Sequence, residues 1–499
     1  MELGLVVGGE VSSIEIREKA GVKLELGELL IVEDGENKLL LQVYDLRTGS
    51  QIATDSREFL AGMGLEGAKI DTEYLHGKEY TIAFARSIAE IDPDGNLSTP
   101  KVLPPSFAPV RSVNVEDLRF LTKPDNPLFL GNVRSGSKTL DVEVYLDAKT
   151  VLPYHILIPA MTGRGKSNLV KIILWSILDQ SPNDYGTLVL DPHDEYYGRH
   201  NVGLKDHPRA DERLVYYSPS PKDEHELVIN LESIVPEHIE GIVYLSEKQT
   251  DIVNQYYNHY GESWVEKIIE GTELEGLERG QITTIKRKFE NFLGIYMGPK
   301  GKIHCHSQVF SQERGDHTIA DLISYLKSGK MVILDTIRLT DEAELLIGSI
   351  IAHSLYDEYL CAKAEGKISS LPIITIVLEE APRTLSNQTL DQKGRNIYSL
   401  IAREGRKFKM GLLAITQLTS IIPKSILTNM STKIILGNEM ESERVTIIES
   451  SSQDLSTEEH TISSLDLGEA IVTSIFTKFA VPIKIPYFDD YVKKIRDTL

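Results

Sequence analysis

The chain has 499 residues, of which 41% are hydrophobic and 25% are charged, and its formal net charge is −21. These proportions belong to a globular protein of more than one domain, and they exclude a collagen-like, low-complexity or wholly disordered chain. A chain with only two cysteines is not a disulfide scaffold. Glu2 stands where a signal peptide carries a basic residue, and charged residues interrupt the apolar segment 345–360. We therefore expect a cytoplasmic protein that does not enter a membrane.

The first hundred residues predict short β-strands separated by turns. Turn signals such as Asp34-Gly35 and Asp94-Gly95 separate the apolar or alternating runs. The runs are Leu3–Val7, Lys23–Leu26, Leu29–Val32, Leu39–Tyr44 and Tyr80–Ala85. Many short strands at this spacing are typical of a small barrel or sandwich, so we assign a β-barrel domain to residues 1–110. The prolines between Pro100 and Pro109 favour a linker, which we assign to residues 111–127.

From about Leu128 onward, apolar strands alternate with helix-length segments. The strands are His155–Pro159, Thr187–Leu190, Met331–Leu334 and Ile373–Leu378. This alternation predicts an α/β core with a parallel, doubly wound sheet over residues 128–220 and 327–482. Between these two parts, residues 221–326 contain helical stretches and no strand-like runs, which predicts a helical insertion. Residues 483–499 form a short C-terminal tail.

The segment from Ala160 to Ser167 has the pattern of a phosphate-binding loop, with alanine in place of the first glycine. It follows an apolar strand and precedes a helical run, so glycine N–H groups and the helix N-terminus can meet phosphate oxygens. In such a loop Lys166 reaches the β- and γ-phosphates of ATP, and Ser167 binds Mg²⁺. The residues we expect to hold the nucleotide are Thr162, Gly163, Arg164, Gly165, Lys166, Ser167 and Asn168.

Acidic residues follow two other strands. Glu379 and Glu380 supply what hydrolysis needs, a metal-holding acid and a water-activating base, with Glu379 reaching Mg²⁺ through water and Glu380 as the base. The alternative for this pair is a solvated helix start. Asp191 and Glu195 follow the strand that comes next after the phosphate loop, and they have either a catalytic role or the role of a structural cap.

A later apolar strand ends in Gln417, whose amide is suited to bind the attacking water or the γ-phosphate. The basic cluster before this strand contains Arg403 and Arg406. It supplies an arginine finger to a neighbouring subunit, or it is a solvated helix end favoured by the helix dipole. Lys424 and Lys433 lie beyond Gln417, either in a loop that faces a pore or on a solvated surface.

These motifs together resemble the HerA family of archaeal hexameric ATPases, which is related to FtsK. The resemblance rests on Ala160–Asn168, Asp191–Tyr197, Val377–Ala381, Ile401–Phe408, Gln417 and the segment 449–469. It implies a RecA-like core in a homohexameric ring, an N-terminal barrel of the HAS type, and translocation or unwinding of double-stranded DNA driven by ATP with Mg²⁺. It also implies a NurA-type nuclease partner in DNA end processing, docked on the barrel side. Arg406 would then be the arginine finger acting in trans, with Arg403 as the rival, and the C-terminal tail would brace a neighbour.

The acidic composition limits how such a ring binds DNA. A net charge of −21 on each subunit argues against DNA on the outer surface, so the DNA channel needs a locally basic lining. The competing function is that of a ring ATPase that moves another polymer or serves as a regulated scaffold for an effector protein.

Overall fold

The computed structural model describes residues 2–67, 79–219, 225–298 and 301–498. The chain forms two compact units, each assembled from separate stretches of sequence. Unit 1 comprises Met1–Lys123, Leu130–Tyr145 and Gly437–Pro486, and unit 2 comprises Pro124–Phe129, Leu146–Leu436 and Tyr487–Leu499.

The strands of the described residues are numbered in chain order. They are β1 (Glu2–Glu10), β2 (Ser13–Glu18), β3 (Leu29–Asp34), β4 (Asn37–Ser50), β5 (Glu79–Ile91), β6 (Leu97–Ser98), β7 (Pro109–Ser112), β8 (Pro127–Ser135), β9 (Lys138–Asp147), β10 (Ile156–Pro159), β11 (Tyr185–Asp191), β12 (Leu214–Ser218), β13 (His225–Glu226), β14 (Ile229–Asn230), β15 (Ile295–Met297), β16 (Ile303–Cys305), β17 (Phe310–Ser311), β18 (Met331–Asp335), β19 (Ile373–Leu378), β20 (Met410–Thr416), β21 (Thr432–Leu436), β22 (Glu469–Ser474) and β23 (Val481–Lys484).

The α-helices are numbered in the same way. They are α1 (Thr54–Leu65), α2 (Ala148–Val151), α3 (Lys166–Leu178), α4 (Ala210–Arg213), α5 (Pro236–Ile239), α6 (Glu247–Tyr260), α7 (Trp264–Glu270), α8 (Arg279–Leu293), α9 (Thr318–Lys327), α10 (Asp341–Ala364), α11 (Pro382–Leu385), α12 (Asn387–Lys393), α13 (Ile397–Glu404), α14 (Lys424–Leu427), α15 (Glu441–Glu449), α16 (Glu459–Ser464) and α17 (Phe488–Thr498). Among the described residues, none of these helices has the length and hydropathy needed to cross a membrane.

Six strands of unit 1 close into a β-barrel in the order β2-β1-β7-β3-β4-β5, and the barrel closes where Ile14 of β2 pairs with Ala85 of β5. Alternate residues of each strand fill the interior, among them Leu39, Leu41 and Val43 of β4. The small Ala83 and Ala85 of β5 face the same core, which suits the narrow interior of a six-stranded barrel. The predicted N-terminal β-barrel is confirmed.

Strand β7 begins at Pro109, the last of the prolines that predicted a linker, and extends into the range 111–127 assigned to that linker. It pairs with both β1 and β3 and is therefore an integral strand of the barrel. Pro109 is its first residue, a position where the missing N–H costs no ladder hydrogen bond. Residues 111 and 112 thus belong to the barrel rather than to a linker.

In the rest of unit 1, β23 pairs antiparallel with both β22 and β8, and β9 lies beside β8. Gly131 of β8 has φ 150°, and a Cβ at this position would lie 2.3 Å from the carbonyl oxygen of Lys484. Only glycine fits so close an approach. The segment 437–486 therefore belongs to unit 1, although the sequence placed residues 437–482 in the ATPase core and residues 483–486 in the C-terminal tail.

Unit 2 is built on eight parallel strands in the order β13-β12-β18-β11-β19-β20-β10-β21. The residues of β10, β11, β18, β19, β20 and β21 are all buried, which is why these strands are nearly continuous apolar runs in the sequence. Because the strands are parallel and in register, their carboxyl ends lie along one edge, where Pro159 pairs with Thr416 and Asp191 with Asp335. The expected α/β core with a parallel sheet is confirmed.

The predicted insertion contains helices α6, α7 and α8, close to the helical stretches expected from sequence. It also has strands of only two or three residues, β14 to β17, which are too short to be recognised by their periodicity. Trp264 donates from Nε1 to the carbonyl of Ile234 at 2.7 Å and packs edge-on against Phe289. These side chains share one hydrophobic core with the sheet, so the insertion is part of unit 2 rather than a separate domain.

The C-terminal helix α17 packs on α3, the helix that follows the phosphate loop. Phe488 contacts Trp175 of α3 with ring centroids 5.6 Å apart, and its N–H donates to the side-chain oxygen of Asn168 at 2.8 Å. Arg496 forms an ion pair with Asp206 at 3.0 Å. Within its own chain, the tail therefore braces the helix that carries the phosphate loop.

Candidate active site

The phosphate loop joins the end of β10 to the first residue of α3. Gly163 and Gly165 have φ 79° and 94°, a left-handed conformation that glycine adopts without steric cost. Gly165 caps α3, so the first N–H groups of the helix, which have no partners within the helix, follow the loop directly. Ala160 is buried and donates its N–H to Thr416 on β20 at 3.0 Å, so the alanine methyl is accommodated where the pattern has glycine. The loop and helix start form the expected anion site.

Lys166, the first residue of α3, lies over the loop that precedes it. Its Nζ donates to the carbonyl oxygens of Ala160 at 3.3 Å and Met161 at 3.2 Å. Burial lowers the pKa of Lys166, and the nearby carboxylates of Glu380, Glu379 and Glu195 oppose that shift. Lys166 therefore stands between the phosphate loop and a group of acids.

A short chain of hydrogen bonds connects the loop with Glu380. Thr162 donates its hydroxyl to Gln417 Oε1 at 2.8 Å, and Gln417 Nε2 donates to Glu380 Oε1 at 2.8 Å. β20, which ends next to Gln417, is the immediate neighbour of β10, and β19, which ends next to Glu379, is the neighbour of β20. Glu380 has φ 49°, a rare conformation for a residue with a side chain and one that is found at functional sites.

Glu379 is held in a crowded acidic environment. Its carboxylate accepts a hydrogen bond from the hydroxyl of Tyr196. Burial raises the pKa of Glu379 to about 8, and the charges of Glu195, Asp191 and Glu380 add to this shift while Lys166 opposes it. A divalent cation would relieve this repulsion, and carboxylate and hydroxyl oxygens are the ligands that Mg²⁺ prefers.

These residues fit Mg²⁺ in the manner of a nucleotide site. Ser167 is the second residue of α3 and is half-buried. Within the described part of the chain, no cluster of three acidic, histidine or cysteine side chains could hold a metal by protein ligands alone. Mg²⁺ bound with a nucleotide uses one or two protein oxygens together with phosphates and water, so Ser167 and Glu379 would be enough protein ligands.

Asp191 supports the loop that follows β11. One carboxylate oxygen accepts the N–H of Glu195 at 3.0 Å and the other accepts the N–H of Tyr196 at 3.1 Å. Burial raises the pKa of Asp191 to about 6. Of the two interpretations drawn from sequence, these hydrogen bonds are those of a structural cap. β11 follows the phosphate loop in sequence, but two strands, β19 and β20, separate it from β10.

Arg403 and Arg406 lie at the opposite edge of the sheet from the phosphate loop. The guanidinium of Arg406 stacks over the ring of Tyr154 at 4.7 Å, just before β10 begins. Both arginines are exposed and line a cavity of about 270 Å³ together with His155. Burial and the charge of Arg406 lower the pKa of His155 to about 4. Neither arginine reaches the phosphate loop of its own chain.

Sequence reasoning was wrong about Lys433 and did not single out Tyr196. Lys433 is buried on β21, where its amine donates to the carbonyls of Leu427 and Met430 at 3.1 Å each, so it faces neither a pore nor solvent. Burial lowers its pKa to about 8. Tyr196 lies 183 residues from its partner Glu379, and the only signal in the sequence is its place in the Asp191–Tyr197 segment.

Comparisons with known proteins match this chain to helicases named HerA. The family model for the central domain of the helicase HerA matches residues 128–355. The DNA double-strand break repair helicase HerA of Sulfolobus acidocaldarius is 28% identical over 98% of this chain and 94% of its own length. The proteins of the same name from Sulfurisphaera tokodaii and Pyrococcus furiosus are 26% and 22% identical, over 98% and 97% of this chain and 94% and 92% of their own lengths. With the phosphate loop, the paired glutamates and Gln417 in one site, these matches confirm the resemblance to the HerA family of ATPases that was found in the sequence.

Proposed function

We propose that this protein is an ATP-driven translocase of double-stranded DNA that works as a hexameric ring in DNA end processing. The observation that carries the proposal is the hydrogen-bonded series from Thr162 through Gln417 to Glu380, which ties the phosphate loop to the candidate base. The relatives are named as DNA double-strand break repair helicases, which is the reason for proposing DNA as the substrate.

Each side chain then has a role in hydrolysis. Lys166 and the loop N–H groups bind the phosphates, Glu380 takes the proton of the attacking water, and Gln417 orients that water. Ser167 and Glu379 would hold Mg²⁺, with Glu379 reaching it through water. When bound, Mg²⁺ neutralises charge that develops on the phosphate oxygens. Asp191 contributes by holding the loop that packs beside Glu379.

The active site is shared between subunits, with Arg406 acting on the nucleotide of a neighbour. Arg406 precedes β20 and Gln417 follows it, so the length of this strand, about 20 Å, separates them. An arginine at the far edge of the sheet suits a finger that acts in trans, which stabilises transition-state charge and is worth about 10³–10⁵ in rate. Arg403 borders the same cavity and is the alternative finger.

A NurA-type nuclease is the proposed partner, docked on the barrel of unit 1. Leu5, Val7 and Phe107 are 36%, 39% and 72% exposed, and the N–H of Phe107 donates to Val6 of β1, so these apolar side chains share one part of the barrel. Exposed apolar side chains grouped in this way favour a protein interface. Purification from the native host, with the bound protein identified by mass, tests this proposal.

The central experiment is ATP turnover by the purified protein with and without double-stranded DNA. We expect stimulation by duplex DNA, loss of that stimulation at high salt, and a six-subunit mass in the presence of ATP and Mg²⁺. If DNA leaves the rate of ATP turnover unchanged while a polypeptide or an effector protein raises it, the alternative is favoured. That alternative is a ring ATPase that moves another polymer or serves as a scaffold.

A further inference from the structure

The loop that follows β11 is held at both of its ends. At its start, both carboxylate oxygens of Asp191 accept backbone N–H groups, from Glu195 and from Tyr196. At its far end, Arg199 pairs with Asp194 at 2.9 Å and with the buried Asp335 of β18 at 2.6 Å. Ion pairs and backbone hydrogen bonds at two neighbouring strands therefore fix the path of the loop.

Tyr196 is the residue that this loop presents to the active site. Its ring is 1% exposed, and its hydroxyl donates to Glu379. β11 and β19 are adjacent and in register through Val189 and Val377, so Asp191 and Glu379 each lie two residues beyond that pair. The hydroxyl thus bridges the ends of two neighbouring strands.

We propose that Tyr196 is a positioning residue for Glu379, and that Asp191 acts through Tyr196. The inference rests on the proposed role of Glu379 in holding Mg²⁺. A glutamate side chain has one more rotatable bond than aspartate, so fixing its carboxylate costs more conformational entropy. A hydrogen bond from a buried, immobile phenol restrains that carboxylate before the metal arrives, which lowers the cost of binding the metal.

The test is the Mg²⁺ dependence of nucleotide binding, measured with a fluorescent, non-hydrolysable ATP analogue. Tyr196→Phe removes the hydroxyl and keeps the ring. We expect the Mg²⁺ concentration at half-saturation to rise about tenfold, the loss expected for a hydrogen bond to a charged group, while binding of the analogue in EDTA stays unchanged. Asp191→Asn, which weakens the hold on the Tyr196 backbone, should shift Mg²⁺ dependence in the same direction.

Tyr359→Phe is the matched control. Tyr359 lies on α10 and is also fully buried in unit 2. Its hydroxyl donates to the carbonyl of Pro372 at 2.9 Å, away from the acidic residues around Glu379. Its loss should lower the melting temperature and leave Mg²⁺ dependence unchanged. The double variant Tyr196→Phe with Glu379→Gln should bind Mg²⁺ no more weakly than Glu379→Gln alone, because the hydroxyl acts only through that carboxylate.

Each other outcome overturns a specific statement. If Glu379→Gln leaves Mg²⁺ dependence unchanged, the proposed role of Glu379 is wrong. If Glu379→Gln weakens Mg²⁺ binding and neither Tyr196→Phe nor Asp191→Asn does, the positioning role of Tyr196 is wrong. Additive losses in the double variant also contradict the positioning role, since Tyr196 would then act independently of Glu379.

Discussion

Gln417 and Glu380, the residues that follow two neighbouring strands, are joined by a hydrogen bond of 2.8 Å from the amide Nε2 to the carboxylate. The other end of the same amide accepts the hydroxyl of Thr162 in the phosphate loop. A side-chain amide is suited to this position because its nitrogen donates a hydrogen bond while its oxygen accepts another. The phosphate loop and the proposed catalytic base are therefore coupled through one side chain.

This coupling predicts the effects of removing its members. Gln417→Ala should lower kcat about 100-fold, because misplaced catalytic groups lose rate steeply with distance. Thr162→Val should cost only a few-fold, and adding it to Gln417→Ala should cost nothing more. Steady-state kinetics checks both statements, with Thr283→Val on α8 as a control that loses a hydroxyl bond away from the site. Full additivity of the two losses would show that Thr162 and Gln417 act separately.

Lys166→Ala should abolish ATP hydrolysis and weaken nucleotide binding, because the phosphates lose a positive charge at the loop. Lys248→Ala, a change to an exposed lysine on α6, is the control and should leave both unchanged. Turnover assays and binding of a fluorescent nucleotide measure the two effects. Wild-type turnover by Lys166→Ala would contradict the assignment of the phosphate loop.

Glu380→Gln should bind ATP normally and hydrolyse it at least 100-fold more slowly, because the amide keeps the shape of the side chain and cannot take a proton. Glu379→Gln is the natural comparison and should mainly raise the Mg²⁺ requirement. Single-turnover hydrolysis at saturating Mg²⁺ separates the two variants. If Glu379→Gln is the more inert under these conditions while it binds ATP normally, the roles of the pair are reversed.

Mixing two inactive variants tests the shared site. Arg406→Ala subunits keep Lys166 and Glu380, and Lys166→Ala subunits keep Arg406, so mixed rings contain some complete interfaces and should regain part of the ATPase rate. Lys407→Ala removes a neighbouring exposed cation and should stay active. Subunit exchange is verified by mass. If mixing restores no ATPase activity, or if Arg406→Ala alone is fully active, Arg406 is not the arginine finger. Arg403 is then the next residue to change.

Lys433 gives a prediction about stability and pH. Burial lowers its pKa to about 8, whereas the unfolded chain keeps the ordinary value of 10.5. Between these values the unfolded chain binds more protons than the folded one, so Lys433 makes stability rise with pH from about 8 to 10.5. Lys433→Met should remove this rise, and Lys424→Met, at an exposed position, should preserve it. Melting temperatures at pH 8 and pH 10 decide between the two outcomes.

Individual strands could be predicted from the sequence more accurately than the order in which they lie in the sheet. Buried parallel strands are apolar along their whole length, so Ile373–Leu378 was recognised with its true bounds. Lys23–Leu26 was wrongly expected to be a strand. Its backbone N–H groups at Leu24 and Glu25 donate to glutamate side chains, which replace a ladder. Strand β2 was missed because only two of its six residues, Ile14 and Ile16, are apolar.

The motifs of the site could be predicted from the sequence, but the hydrogen bonds between residues of different motifs could not. The phosphate loop, the paired glutamates and Gln417 each carry a local signal. The bond between Tyr196 and Glu379 depends on β11 lying next to β19, and sheet order is set by the packing of the whole unit rather than by any local pattern. For the same reason Lys433 could not be told from a surface lysine, since its burial depends on strands from distant parts of the chain.

Strand β20 touches two catalytic centres if the arginine finger acts in trans. Its seven residues are all buried, and it pairs with β10 on one side and with β19 on the other, so the strand is a rigid connection between its two ends. A shift of Gln417 when ATP is cleaved would then carry the basic cluster at the other end with it. Hydrolysis in one subunit would then change the position of the arginines that act on the nucleotide of its neighbour.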